Sequence, residues 1–169
     1  MKEQNSVQKQ FLESYGELSE AIFRHCFFRV SDREVAVDLM QETFLKTWKH
    51  LQGGNDIYDI KAFLYKVTNN LIIDHYRKKK SVSLESLTEG EDSNFEPTDD
   101  SYQDITSKAE VNLIMGKIAE LEEPYRQAVI MRYVDGLPPK EIAEIIGETA
   151  NNVSVRIVRG LEQLREKIK

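Results

Sequence analysis

The sequence predicts an all-α protein: two small helical domains, an N-terminal helix bundle and a C-terminal four-helix domain with a helix-turn-helix, joined by an acidic linker. Three observations predict it. Apolar residues recur at three-to-four spacing along both ends of the chain. Only 8 glycines and 4 prolines interrupt 169 residues, and no stretch alternates usefully like a strand. Between the two ends runs "SVSLESLTEGEDSNFEPTDDSYQDITSKAE", polar and nearly without apolar periodicity. The domains are accordingly placed at 1–80 and 109–169, with the linker at 81–108.

The first helix rests on Phe11, Tyr15, Leu18, Ile22 and Cys26, which form one core-facing stripe. Val37, Met40, Phe44, Trp48 and Leu51 form a second, after a cap expected at Ser31 or Asp32. "QGGNDIYD" breaks the pattern and reads as a loop. A third helix runs from about Ile60 to Lys80, with Ile60, Leu64, Val67 and Leu71 inward. Its other side carries Lys66, Asn70, Ile73 and Arg77, then three lysines. Tyr65 and Tyr76 are interleaved, as on a surface that tracks a nucleic-acid backbone and stacks on bases. The lysines have an equally good account as charges complementing a helix C-terminus.

The chain has a formal net charge of −6, but the excess is local. Residues 81–110 hold 9 acidic and 1 basic side chains, whereas 1–80 hold 11 and 13, and 111–169 hold 9 and 9. Such a segment buries too little apolar surface to offset the entropy of ordering it. It is also longer than an ordinary loop in a compact fold.

Beyond it, Val111, Ile114, Ile118 and Leu121 open a helix, Pro124 is placed to start the next, and Gly136 to end it. In "PKEIAEIIGETANNVSVRIVRGLEQL", Ile142 and Ile146 face a core, Gly147 supplies a tight turn, and Thr149 caps the last helix. Val153, Ile157, Leu161 and Leu164 make an inward seam. Asn151, Ser154, Val155, Val158, Arg159 and Glu162 are left outside. Such a helix suits a DNA major groove, its early residues at base edges and its arginines on phosphate or guanine. A solvated helical hairpin has the same spacing, so the pattern leaves both readings open.

Several function classes are set aside. No apolar run approaches a membrane span, so no membrane insertion is expected. The N-terminus "MKEQNSVQKQ" lacks the apolar centre of a secretion signal, and a cytoplasmic location is the expectation. Cys26 is the single cysteine and reads as a small core residue. His25, His50 and His75 show no metal-ligand clustering, and "QGGND" lacks the Lys and Ser/Thr of a phosphate-binding loop. No catalytic residue, metal or cofactor is expected, and the protein is not expected to be an enzyme.

"DLMQETFLKTWKHL" (Asp38–Leu51), "AFLYKVTNNLIIDHYRKK" (Ala62–Lys79) and the stretch Leu121–Arg165 occur in an order that resembles bacterial RNA polymerase sigma factors of the extracytoplasmic-function (ECF) branch. The resemblance covers nearly everything except the linker. It implies binding to core RNA polymerase and direction of that enzyme to promoter DNA, in a stress or envelope response. The first motif would dock on the clamp of the largest subunit through Asp38, Leu39, Gln41, Glu42, Leu45 and Lys49, with Leu39 and Leu45 exposed among the charges. The C-terminal domain would meet the flap of the second-largest subunit.

The third helix would read the minus-ten element, where a base is flipped from the non-template strand, through Lys66, Asn69, Asn70, Ile73, Asp74 and Arg77. Asn70 matches the family's pocket asparagine, and Asp74 and Arg77 would orient one another. Relatives carry an aromatic near Gly54, where this chain offers Ile57 and Tyr58 further along. The helix-turn-helix would read the minus-thirty-five element through Asn151, Asn152, Ser154, Val155, Arg156, Val158 and Arg159. Ser154 and Val155 replace a usual base reader and its neighbour, which implies an atypical element. The acidic segment would thread towards the RNA exit channel, or serve as a plain tether. An anti-sigma factor is a candidate partner, although no residue specifies it. Two other classes share parts of the pattern: a stand-alone regulator dimerising on a palindrome, and a pure interaction module.

Overall fold

The computed structural model describes residues 1–85 and 105–168, side chains excepted at 83–85 and 105–108. Among these residues are seven α-helices and no strand. They are α1 (Lys2–Val30), α2 (Arg33–Gln52), α3 (Ile60–Glu85), α4 (Ile105–Ala119), α5 (Glu123–Val129), α6 (Pro139–Ile146) and α7 (Ala150–Ile168). A π-helical turn, Ile130–Val134, continues α5. Most of the expected linker lies outside the described residues, but α3 runs to Glu85, beyond the expected end at Lys80, and α4 starts before residue 109.

Local chemistry explains the boundaries. Ser31 takes the left-handed conformation (φ 55°) that ends α1, its N–H donating to the Phe27 carbonyl at 2.9 Å. Asp32 then caps α2, accepting from Val35 N at 3.1 Å. Gly147 stands at φ 73°, where its N–H donates to the Ala143 carbonyl and ends α6. Thr149 Oγ1 accepts from Asn152 N at 3.1 Å and starts α7, as expected.

The N-terminal bundle packs through aromatic side chains. Phe11 lies 5.0 Å from Trp48 and 6.2 Å from Phe44, and Tyr15 meets Phe44 at 4.9 Å between ring centroids. On its other side α2 meets α3 through Thr43 Oγ1 and Thr68 Oγ1, 3.1 Å apart. A helix held by two neighbours buries a wide arc, so Ala36, Leu39, Thr43 and Thr47 are buried beside the expected stripe. The expected exposure of Leu39 is therefore corrected: it is 7% exposed.

In the C-terminal unit α7 approaches α5 closely at Gly160. A Cβ there would stand 2.6 Å from Val129 Cγ2 and 3.3 Å from the Tyr125 carbonyl oxygen. Met115, Ile118 and Leu121 are buried, whereas Val111 and Ile114 of the expected stripe are exposed. The buried residues of both units form one continuous cluster, in which Ile22, Cys26 and Leu64 join Met131, Leu137 and Ile142. The two units are packed together across α1, α3, α6 and the π-helical turn.

Candidate nucleic-acid interface

On α2, Asp38, Gln41, Glu42 and Lys49 are exposed, and Leu45 is 51% exposed among them. An apolar side chain ringed by charges is the composition of a protein-docking face. Leu39 does not belong to it, because it points the opposite way into the bundle.

On α3, Lys66, Asn70, Asp74 and Arg77 are exposed and Ile73 is half-buried. Asp74 and Arg77 stand 4.0 Å apart with both side chains largely in solvent, which is the outer limit of an ion pair. Asn69 is corrected. It is 4% exposed, and its Oδ1 accepts from Arg29 Nη1 at 3.2 Å and from Gln127 Nε2 at 2.5 Å. One helical position separates Asn70 from Asn69, and about 100° of rotation turns one to solvent and the other into the seam between the units.

The two tyrosines are also corrected as surface stackers. Tyr65 is buried and meets His25 edge-on at 5.5 Å. Burial, with the Asp135 charge adding to it, pushes its phenol pKa up and keeps it neutral. Tyr76 donates its hydroxyl proton to the Arg29 carbonyl, and the Arg126 guanidinium covers its ring at 5.5 Å.

On α7, Val153, Ile157 and Gly160 face inward, with Leu161 and Leu164 half-buried below them. Ile145 shares the buried face of α6 with Ile142, while Ile146 is half-buried. Outward stand Asn151, Asn152, Ser154, Val155, Val158 and Arg159. Val155 and Val158 are 39% and 55% exposed, one turn apart, giving the face an apolar centre suited to a thymine methyl. Arg156 is tied back: it donates to Glu148 Oε1 at 2.9 Å, and Asn152 Nδ2 donates to Oε2 at 3.3 Å. The Asn152 amide first, and the Arg156 charge second, hold the Glu148 carboxyl below its ordinary range. Glu148 thereby orients both side chains.

Sequence reasoning missed the polar groups between the units. His25 Nδ1 lies 2.5 Å from Asp135 Oδ2, with both side chains fully buried. Arg29, also buried, donates to Glu123, to which Arg126 donates as well. A signal existed, since His25 and Arg29 sit i, i+4 beside the Ile22–Cys26 stripe, but their partners lie 94 or more positions away. Among the described residues no group of His, Cys, Asp and Glu has the arrangement of a metal site. No helix among them is long and apolar enough to cross a membrane.

Two family models match the chain: "Sigma-70 region 2" over residues 15–82 and "Sigma-70, region 4" over 112–164. The chain is 34% identical over 139 residues to the RNA polymerase sigma factor SigZ of Bacillus subtilis (strain 168), spanning 82% of this chain and 75% of that one. The chain belongs to the sigma-70 family. Within that family it is an ECF sigma factor, and it is 29% identical over 157 residues to the ECF RNA polymerase sigma factor SigW of the same organism, spanning 89% and 84% of the two chains. The sigma-factor fold recurs in the RpoE–NepR complex from Bartonella quintana, described as a sigma factor with its anti-sigma factor. That match has a TM-score of 0.74 at 21% identity and covers 94% of this chain and 96% of that one. It recurs again in CnrH bound to the cytosolic domain of CnrY, at TM-score 0.72 and 16% identity, over 98% and 94%. The protein is thus a sigma factor that binds core RNA polymerase and directs promoter-specific initiation. Sigma factors are initiation factors, not enzymes by themselves.

Proposed function

We propose that this sigma factor distributes its work over three outward faces. Asp38, Gln41, Glu42, Leu45 and Lys49 of α2 dock on the clamp of the polymerase's largest subunit, while the C-terminal unit meets the flap of the second-largest. Lys66, Asn70, Ile73, Asp74 and Arg77 of α3 take the minus-ten strand. Asn70 is the reader at the flipped base, because an exposed amide both donates to and accepts from a base edge. The outward face of α7 takes the minus-thirty-five element. There Arg159 grips phosphate or guanine, Val155 and Val158 supply apolar contact, and Arg156 and Asn152 are held in place by Glu148.

The observation that carries the docking assignment is Leu45, half exposed in a ring of charges on a helix whose opposite face is fully buried. Co-migration with bacterial core polymerase tests it. Wild type forms a stable complex, and the Gln41→Ala/Leu45→Ala variant loses it while keeping its helix content. Binding by the variant at wild-type strength would remove α2 from the docking role. Control by an anti-sigma factor is part of the same proposal. It is supported by the likeness to RpoE of Bartonella quintana, a sigma factor solved in complex with the anti-sigma factor NepR, and pull-down of a specific inhibitor that blocks polymerase binding tests it.

A further inference from the structure

The turn between α6 and α7 carries a carboxylate at the head of a face that has to approach phosphate. Gly147, at φ 73°, closes α6, and the Glu148 N–H donates to the Ala143 carbonyl at 3.0 Å, so the backbone of Glu148 is fixed to the last turn of α6. Its side chain crosses to α7. There Oε1 accepts from Arg156 Nη2 at 2.9 Å, and Oε2 accepts from Asn152 Nδ2 at 3.3 Å. Asn152 and Arg156 are four positions apart on one side of the helix, so a single carboxylate reaches both. A carboxylate alone would repel the DNA backbone, but here the Arg156 guanidinium sets a positive charge beside it.

An ionised carboxylate only accepts hydrogen bonds, whereas a carboxamide has a donating and an accepting end. Glu148 therefore holds the Asn152 amide by its nitrogen, since the reverse orientation would set oxygen against oxygen. The carbonyl oxygen Oδ1 is left as the pole turned away from the carboxylate, on an exposed residue in the first turn of α7. Residues in that turn of a groove-reading helix reach base edges. In the major groove an acceptor matches the N4 amino group of cytosine or the N6 amino group of adenine, and the second N–H of Nδ2 can add adenine N7. Guanine O6 and thymine O4 would meet Oδ1 acceptor against acceptor.

We propose that Glu148 is a specificity-determining residue: by fixing the polarity of the Asn152 amide, it makes the upstream promoter element carry an amino base, adenine or cytosine, where Asn152 meets it. The proposal rests on the assignment of the outward face of α7 to the minus-thirty-five element. It adds to that assignment a part for Glu148 in the choice of base, exerted through Asn152.

Holoenzyme made from the full chain and bacterial core polymerase tests this by selection from a duplex library randomised across the promoter, with the helix content and polymerase binding of each variant checked. The column read by Asn152 is the one that Asn152→Ala flattens. In wild type it should favour adenine or cytosine over guanine and thymine at least about fivefold, the scale of one base-edge contact. Glu148→Ala, and Glu148→Gln, whose amide offers either end, should cut that preference to below about twofold while the other columns keep theirs. Adding Asn152→Asp to Glu148→Ala should restore it in favour of cytosine, because the new carboxylate again offers acceptors alone. A merely structural role predicts no such rescue. Guanine or thymine at that column in wild type, a Glu148→Ala profile identical to wild type, equal flattening of every column, or no rescue by the double variant overturns the proposal. If Arg159→Ala changes the upstream element while Asn152→Ala changes no column, the proposal fails and α7 keeps its assignment. If neither variant changes it, or wild type selects no upstream element, the assignment of α7 fails and takes the proposal with it.

Discussion

The packing inside the N-terminal bundle and the packing between the two units use different chemistry on the same helices. Within the bundle α1 meets α2 through Phe11, Tyr15, Phe44 and Trp48, ring against ring. A few residues further along, α1 meets the C-terminal unit through His25 and Arg29, which hydrogen-bond to Asp135 and Glu123 beside the apolar cluster that the two units share. Apolar contacts are non-directional and strong in proportion to area, so they hold a unit together. Buried polar contacts are directional and nearly neutral in net energy, so they fix how the units sit while the shared apolar cluster holds them. One helix thereby serves both as a permanent core element and as one side of a joint.

This contrast is most sharply tested in the aromatic core. Phe44→Ala should cost about 4 kcal/mol in urea unfolding, since a large buried ring leaves a cavity among its aromatic neighbours. A loss below about 1 kcal/mol would mean the bundle does not depend on its aromatic packing. At the joint, a double-mutant cycle of His25→Ala and Asp135→Ala should give a coupling of about 2 kcal/mol. Zero coupling would show that the pair is adjacent without being joined. Gly160→Ala should cost about 2 kcal/mol by pushing α7 from Val129 and the Tyr125 carbonyl, and a stabilising alanine would contradict the close approach.

Smaller still is the Asp32→Ala effect, about 1 kcal/mol from losing the cap of α2. The last prediction concerns Cys26, whose thiol burial pushes up to about 12 from 9.0. The folded chain then holds its proton where the unfolded chain releases it. Cys26 therefore contributes stability below pH 9.0 that is lost as pH rises from there towards about 12. Near neutral pH iodoacetamide should label it far more slowly in the native chain than in urea, and equal rates would place the thiol in solvent.

Much of this was legible as periodicity. The start of α3 at Ile60, the cap by Thr149, the turn at Gly147 and the inward seam of α7 follow from spacing and local hydrogen bonding. The exposed Asn70, Arg77, Leu45 and Arg159 could be placed for the same reason. Leu39 and Asn69 could not. Each sits at the border of a helical stripe, where the second neighbour decides which way is inward, and for Asn69 that neighbour includes Gln127, 58 positions away.

The helices, their caps and turns, the membership of the sigma-70 family and the outward faces of α2 and α7 are all written in the sequence. These depend on contacts within a few residues or on motifs read directly. That His25 belongs with Asp135, that Arg29 belongs with Glu123, and that the two units share one buried cluster emerged only in three dimensions. A periodic stripe says that a side chain is buried, but not against what. Charge pairing acts through space at a few ångströms and leaves no trace in sequence spacing.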